Sequence, residues 1–228
     1  MSKREEIQQE ALDMAIANKR CGLGISMGVG KTLIGLRYID YYQQANKKLR
    51  VLVVAPKISI FDSWVSDAAK FNIDIDYAEF TTYLSLHKKN PSHYDVVVLD
   101  ECHSLLISHT VFLAQFTGRI LGLTGTPPRH HQSEKGKMVH QFCPILYKYI
   151  TDDAVSDDIL NDYRIIVHTM PISNINSLPV NMKDGKQFYT SERKSYDYWT
   201  KRIASAQSKK QEQISSVMRM RVLMDFRT

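Results

Sequence analysis

Long apolar runs are missing from this chain, and that absence leaves no candidate for a membrane span. The start, Met1-Ser2-Lys3-Arg4-Glu5-Glu6, carries no apolar stretch of the kind a secretory signal needs. Cysteine is scarce. The three present, Cys21, Cys102 and Cys143, have no metal-ligand spacing, and an odd count does not describe a disulfide framework. A reducing cytosol, bacterial or that of a phage-infected host, is the expected setting, or a nucleus in a eukaryote. No internal repeat is found. The content, 43% hydrophobic and 24% charged over 228 residues, is ordinary for one globular core with an appendage. Charge is uneven. Residues 1–182 hold 19 Lys/Arg against 19 Asp/Glu, and residues 183–228 hold 11 against 5, which is the whole net charge of +6. A basic end of this kind binds nucleic acid or acidic partners, or is a solvated helix face; composition leaves both open.

What is present is organised around Met27-Gly28-Val29-Gly30-Lys31-Thr32. Glycines let a backbone close around an anion, Lys31 reaches terminal phosphates, and the Thr32 hydroxyl is the expected Mg²⁺ ligand. The strict phosphate-loop pattern wants glycine where Ile25 stands, with Gly24 one place too early. The flanks fit, with a short strand from Cys21 and a helix carrying Leu33, Ile34, Leu36, Tyr38 and Ile39. About 70 residues on, Val96-Val97-Val98-Leu99 leads into Asp100-Glu101-Cys102-His103. A buried strand delivering two carboxylates at its C-terminal end is the usual partner of a phosphate loop. Asp100 is expected to hold Mg²⁺ and Glu101 to polarise the attacking water.

Continuous apolar runs predict further buried strands at Val51–Ala55, ended by Pro56, and at Arg119–Leu123, ended by Thr124-Gly125-Thr126-Pro127-Pro128. Another strand is expected over Ile73–Phe80, with Thr81-Thr82-Tyr83 opening a helix through Leu86. Helices are expected over 4–18, 58–71 (with Trp64 in the core) and 110–116. Strands near 21, 51, 74, 95 and 119 alternating with helices predict a parallel α/β sheet, with ligands at the strands' C-terminal ends. Beyond residue 130, His130, His131 and His140 read as solvated. Residues 164–170 suggest a last strand, 172–185 polar turns, and 186–226 a basic helical region. Tyr189, Tyr196, Tyr198 and Trp199 lie there among charges, either to stack bases or to form a helix's apolar stripe.

Together these residues resemble the N-terminal RecA-like lobe of superfamily 2 helicases and translocases, in the SWI/SNF-like branch with its phage relatives. The matches are Met27–Thr32 for motif I, Asp100–His103 for motif II and Leu123–Pro127 for motif III. Val53–Pro56 with Trp64 resembles motif Ia and its following helix, and Gln8, with Ala11 three residues on, the adenine-reading glutamine helix. The branch also relaxes the first glycine of the loop. The resemblance covers roughly residues 4–170. It implies a RecA-like lobe over residues 1–170 and, over 171–228, a linker and basic helical extension. It further implies ATP and Mg²⁺ bound at Gln8, Met27–Thr32 and Asp100, with catalysis by Glu101, Asp100 and Lys31. Thr124, Thr126 and His103 would couple the nucleotide to movement. Pro56, Lys57, Thr81, Thr82, Tyr83 and Arg129 would face nucleic acid, expected as double-stranded DNA.

Family members complete their site with arginines from a second RecA-like lobe. No Gln-x-x-Gly-Arg-type motif follows residue 170, and Arg219, Arg221 and Arg227 fall on an expected helix. The second lobe is therefore expected in cis or in trans, with weak turnover by this chain alone. A nucleotide-stabilised module that binds DNA or protein without catalysis, and a self-assembling phosphate-loop ATPase, are the alternatives. Neither needs a membrane.

Overall fold

The computed structural model describes residues 2–130, 132–163, 171–182, 185–205 and 209–224. They form two compact units, Met1–Tyr163 and Arg164–Thr228.

The first unit opens with α1 (Lys3–Ala17), capped by a reciprocal Ser2–Glu5 box. Its face of Ile7, Ala11, Leu12 and Ala15 is buried. There follow β1 (Arg20–Ile25), α2 (Lys31–Ala45), β2 (Val51–Ala55), α3 (Ser59–Phe71) and β3 (Ala78–Thr82). After 3₁₀ turns at Tyr83–Lys88 and Pro91–His93 come β4 (Val96–Asp100), two more such turns, and the short α4 (Thr110–Leu113). β5 (Arg119–Thr124), α5 (Glu134–Phe142), β6 (Ile145–Tyr149) and α6 (Thr151–Ser156) complete the unit. The six strands make one parallel sheet in the order β3-β2-β4-β5-β1-β6. β2 and β4 are buried at every position, as their uninterrupted apolar sequences require when helices cover both faces. One core, with Ile34, Ile39, Val53, Trp64 and Leu123, lies against α1, α2 and α3; the other holds Leu52, Leu99, Phe112, Phe116 and Phe142.

The topology positions the site. From β1 the chain crosses α2 to β2, and β4 and β5 later fill the space between. Such a reversal of strand order opens a crevice at the C-terminal ends. Register brings Gly24 of β1 opposite Thr124 of β5, and Leu123 of β5 opposite Asp100 of β4.

Three expectations need correction. The third strand is Ala78–Thr82, later than Ile73–Phe80, because Asn72 caps α3 in the left-handed conformation and the Asp74 carboxylate accepts the Asp76 N–H, making 72–77 a turn. Thr81 and Thr82 are consequently strand residues, and the helical turn begins at Tyr83. Residues 172–185 are not only turns: β7 (Asn176–Asn181) pairs antiparallel with β8 (Gln187–Ser191). The second unit continues with α7 (Glu192–Ala204), capped by Ser191, and α8 (Lys209–Met224). The expected strand over 164–170, His131 and Arg227 lie outside the described residues, as does the side chain of Arg221. No helix among the described residues is long and apolar enough to cross a membrane.

Candidate nucleotide site

Gly28 and Gly30 hold φ of 86° and 108°, the left-handed region that glycine enters without strain. Gly30 is the N-cap of α2, so no side chain caps this helix. The N–H groups of its first turn, at Lys31, Thr32 and Leu33, are left to an external acceptor, and fifteen residues of helix aim their positive end at the same place. A Cβ built on Gly30 would lie 2.5 Å from Gln8 Nε2, and one on Gly28 would lie 2.9 Å from Leu160 Cδ2. Gly30→Ala is thus expected to strain the backbone and to push Gln8 away at once. The loss of nucleotide binding should exceed ten-fold (about 1.4 kcal/mol), measured by titration calorimetry, with a lower unfolding midpoint.

Gln8 is buried, and its Nε2 donates to the Val29 carbonyl at 2.7 Å. A carbonyl partner fixes the amide's orientation. One N–H and the Oε1 acceptor remain, the pair that an adenine edge needs. Below the loop, the Ser26 N–H donates to the Tyr149 carbonyl at 2.9 Å, and Ser26 Oγ and Thr151 Oγ1 lie 2.8 Å apart. β6 and α6, which carried no motif, therefore brace the loop from one side. Met27 is exposed at its rim.

Lys31 points toward the acidic strand end. Burial lowers its pKa, and the charges of Glu101 and then Asp100 oppose that shift. Its Nζ would lie 3.2 Å from a Cβ on Gly125, so glycine at that point of the β5 loop gives the ammonium room. Asp100 is 8% exposed and held on both oxygens: Oδ2 accepts Trp64 Nε1–H at 2.9 Å, and Oδ1 accepts the Glu101 N–H at 3.0 Å. Its own carbonyl accepts the Tyr83 hydroxyl at 2.9 Å. Burial raises the Asp100 pKa, the Trp64 N–H works against that, and the Glu101 charge adds to it. Glu101 has φ 49°, ψ 54°, a conformation uncommon for a non-glycine residue and found at sites where geometry is imposed.

His103 joins the two strand ends. Its Nδ1 lies 3.3 Å from Glu101 Oε2, 2.8 Å from Thr124 Oγ1 and 3.3 Å from Thr126 Oγ1. A carboxylate only accepts, so the contact with Glu101 calls for a hydrogen on Nδ1. Thr124 Oγ1 also accepts the Thr126 N–H at 3.1 Å. Glu101, His103, Thr124 and Thr126 form one polar chain between β4 and β5.

The residues expected to face nucleic acid divide. Lys57 and Arg129 are exposed, and Pro56 and Thr82 partly so. Thr81 and Tyr83 are buried, and Tyr83 spends its hydroxyl on Asp100, so neither side chain offers a surface. The Trp64–Asp100 bond escaped sequence reasoning, which placed Trp64 in the core and in the helix after motif Ia. One signal existed: Gly35 interrupts α2, and a Cβ there would lie 2.5 Å from Trp64 Cη2.

The donors available to a cation are oxygens: the Asp100 and Glu101 carboxylates and the Thr32 hydroxyl. Cys102 Sγ packs instead near Gly122 in the core. Among the described residues no group of three or more His, Cys, Asp or Glu could hold a metal. Hard oxygen donors with one or two carboxylates suit Mg²⁺, which keeps waters and takes phosphate oxygens, and do not suit a caged transition metal.

Residues 2–82 match the family described as type III restriction enzyme, res subunit. No curated protein matches the chain in sequence. Among solved structures, the UvsW helicase from bacteriophage T4 is 17% identical with a TM-score of 0.53, over 62% of this chain and 58% of that one. A second structure of T4 UvsW gives 16% and 0.52, over 62% and 33%. A nuclease-deletion mutant of the type ISP restriction-modification enzyme LlaGI, in complex with a DNA substrate mimic, gives 18% and 0.52, over 67% and 20%. This chain thus spans less than two thirds of each of those chains, and at such identities the likeness is one of fold. Its six-stranded parallel sheet flanked by helices has the fold of a RecA-like helicase lobe.

Proposed function

We propose that the chain is the first lobe of an ATP-dependent DNA helicase or translocase, binding Mg-ATP and a DNA backbone and relying on a second RecA-like lobe for efficient hydrolysis. One observation carries the reading. An uncapped helix N-terminus, a partly dehydrated lysine and a carboxylate pair converge at the C-terminal ends of β1 and β4, with β5 between them.

In this reading the N–H groups opening α2 and the Lys31 ammonium hold the phosphates, and Gln8 ties the adenine to the loop it already grips. Thr32 and Asp100 would hold Mg²⁺, which when bound neutralises charge on the β- and γ-phosphate oxygens. Asp100 cannot swing, because Trp64 and the Glu101 N–H fix both its oxygens. Glu101 orients and deprotonates the attacking water. His103 meets that carboxylate and both threonines, so a change in charge at Glu101 is felt in the β5 loop. In this reading the positive charge that faces the γ-phosphate from across the cleft comes from the second lobe. An arginine from outside supplies roughly 10³ to 10⁵ in turnover in related phosphoryl-transfer enzymes.

DNA is placed on the exposed strand-end residues Lys57 and Arg129. The test is fluorescence anisotropy of a labelled DNA duplex against this chain, with and without Mg-ATP. Lys57→Gln with Arg129→Gln should weaken binding several-fold and lower the salt slope by about 1.8, two contacts at about 0.9 each. An unchanged slope would remove these residues from the DNA surface.

A further inference from the structure

In the second unit, β8 and α7 present aromatic rings beside unneutralised cations. Tyr198 is 52% exposed and meets Trp199 edge to face, with centroids 5.0 Å apart. The Arg202 guanidinium lies over both rings, 5.8 Å from the first centroid and 5.9 Å from the second. Lys194 and Lys201 share the helix face of Tyr198 by their i−4 and i+3 spacing and are exposed with it. Among the described residues none of these three cations is in an ion pair; Lys194 Nζ meets only the neutral Asn176 side chain, at 3.4 Å. On β8, which runs directly into α7, Tyr189 is 60% exposed.

A water-facing aromatic ring with a guanidinium against it is costly as surface and apt as a platform: the flat ring and guanidinium accept a base, and the flanking ammonium groups accept phosphates. The charge of the region selects a polyanion, because residues 183–228 carry 11 Lys/Arg against 5 Asp/Glu. The rings then select among polyanions. In a duplex the base faces are covered by their neighbours, so only an unpaired strand can use them. We propose that this unit is a binding surface for single-stranded DNA, separate from the strand-end surface of the first unit. Bases stack on Tyr198 and Tyr189, and the backbone meets Lys194, Lys201 and Arg202. The choice of DNA over RNA rests on the function proposed above; the surface itself does not.

The test uses the full chain without nucleotide, so that its outcome is separate from ATP chemistry. Anisotropy is read for a labelled oligo(dT), an oligo(rU) and a duplex of equal length. Tyr198→Ala and Tyr189→Ala should each weaken oligo(dT) binding five-fold or more and leave the duplex within two-fold, and Tyr198→Phe should restore it. Lys201→Gln with Arg202→Gln should reduce the salt slope on oligo(dT) by about 1.4, two contacts at about 0.7 each. All four side chains are exposed, and circular dichroism checks that the variants fold. Alanine variants that bind oligo(dT) as the parent does would show that the rings face protein, and equal losses on single strand and duplex would reduce the surface to an unspecific cation patch. Either result overturns the proposal, and tighter binding of oligo(rU) overturns its assignment to DNA.

Discussion

Lys31→Met is expected to weaken Mg-ATP binding by two orders of magnitude, read by titration calorimetry or a fluorescent ATP analogue. The substitution keeps the aliphatic stem, so the helix start and packing survive, and it removes only the charge. That charge sits where burial already lowers its pKa, so water competes poorly for it and a phosphate gains more from it than at a surface. A hydrogen bond to a charged group contributes about 1.5–3 kcal/mol, and two such bonds correspond to roughly 100-fold or more. Binding within about two-fold of the parent would mean that Lys31 does not meet the phosphates.

The second large effect falls on a residue whose place after motif Ia does not announce its partner. Trp64→Phe deletes the N–H that Asp100 Oδ2 accepts at 2.9 Å and leaves a buried carboxylate short of a donor. Its Asp100 pKa must rise further, since that bond is the largest influence holding it down. The cost is measured as a coupling, by denaturing the parent, Trp64→Phe, Asp100→Asn and the double variant, so that the smaller ring's lost packing cancels. The expected coupling is about 1.5–3 kcal/mol, with a parallel loss in the Mg²⁺ dependence of ATP affinity. Gly35→Ala, which drives a methyl to 2.5 Å from the indole, should reproduce the Mg²⁺ defect without replacing either partner. A coupling below about 0.5 kcal/mol would show that Trp64 is core and nothing more.

These cases show what a sequence displays. The loop at Met27–Thr32 was legible from its own glycines, lysine and threonine, since the strand before it is mixed, with Arg20, Gly22 and Gly24. The pair Asp100-Glu101 was legible because it follows a strand so apolar that its end is unmistakable. The sheet was legible for the same reason. β6 was not: Ile145–Tyr149 is an edge strand that alternates partly buried and exposed positions, with Leu146 and Lys148 outward, and five alternating residues after Pro144 resemble a loop. β7 and β8 bury little and contain Pro179, so polarity hid a ribbon. The role of Tyr83 was misjudged because adjacency to a strand end suggests a surface, whereas its side chain turns inward to the Asp100 carbonyl. Contacts between distant positions leave only indirect marks, as Gly35 does for Trp64.

The half-site account is tested most directly by ATP turnover of this chain, with and without duplex DNA, over a range of protein concentrations and beside Glu101→Gln. The account predicts Mg-ATP binding with negligible turnover, unaffected by DNA and by concentration, and a rise of several orders of magnitude when a second RecA-like lobe is joined or added. Turnover that climbs steeply with concentration, responds to DNA and vanishes in Glu101→Gln would contradict it, because the chain would then complete its own site by assembly.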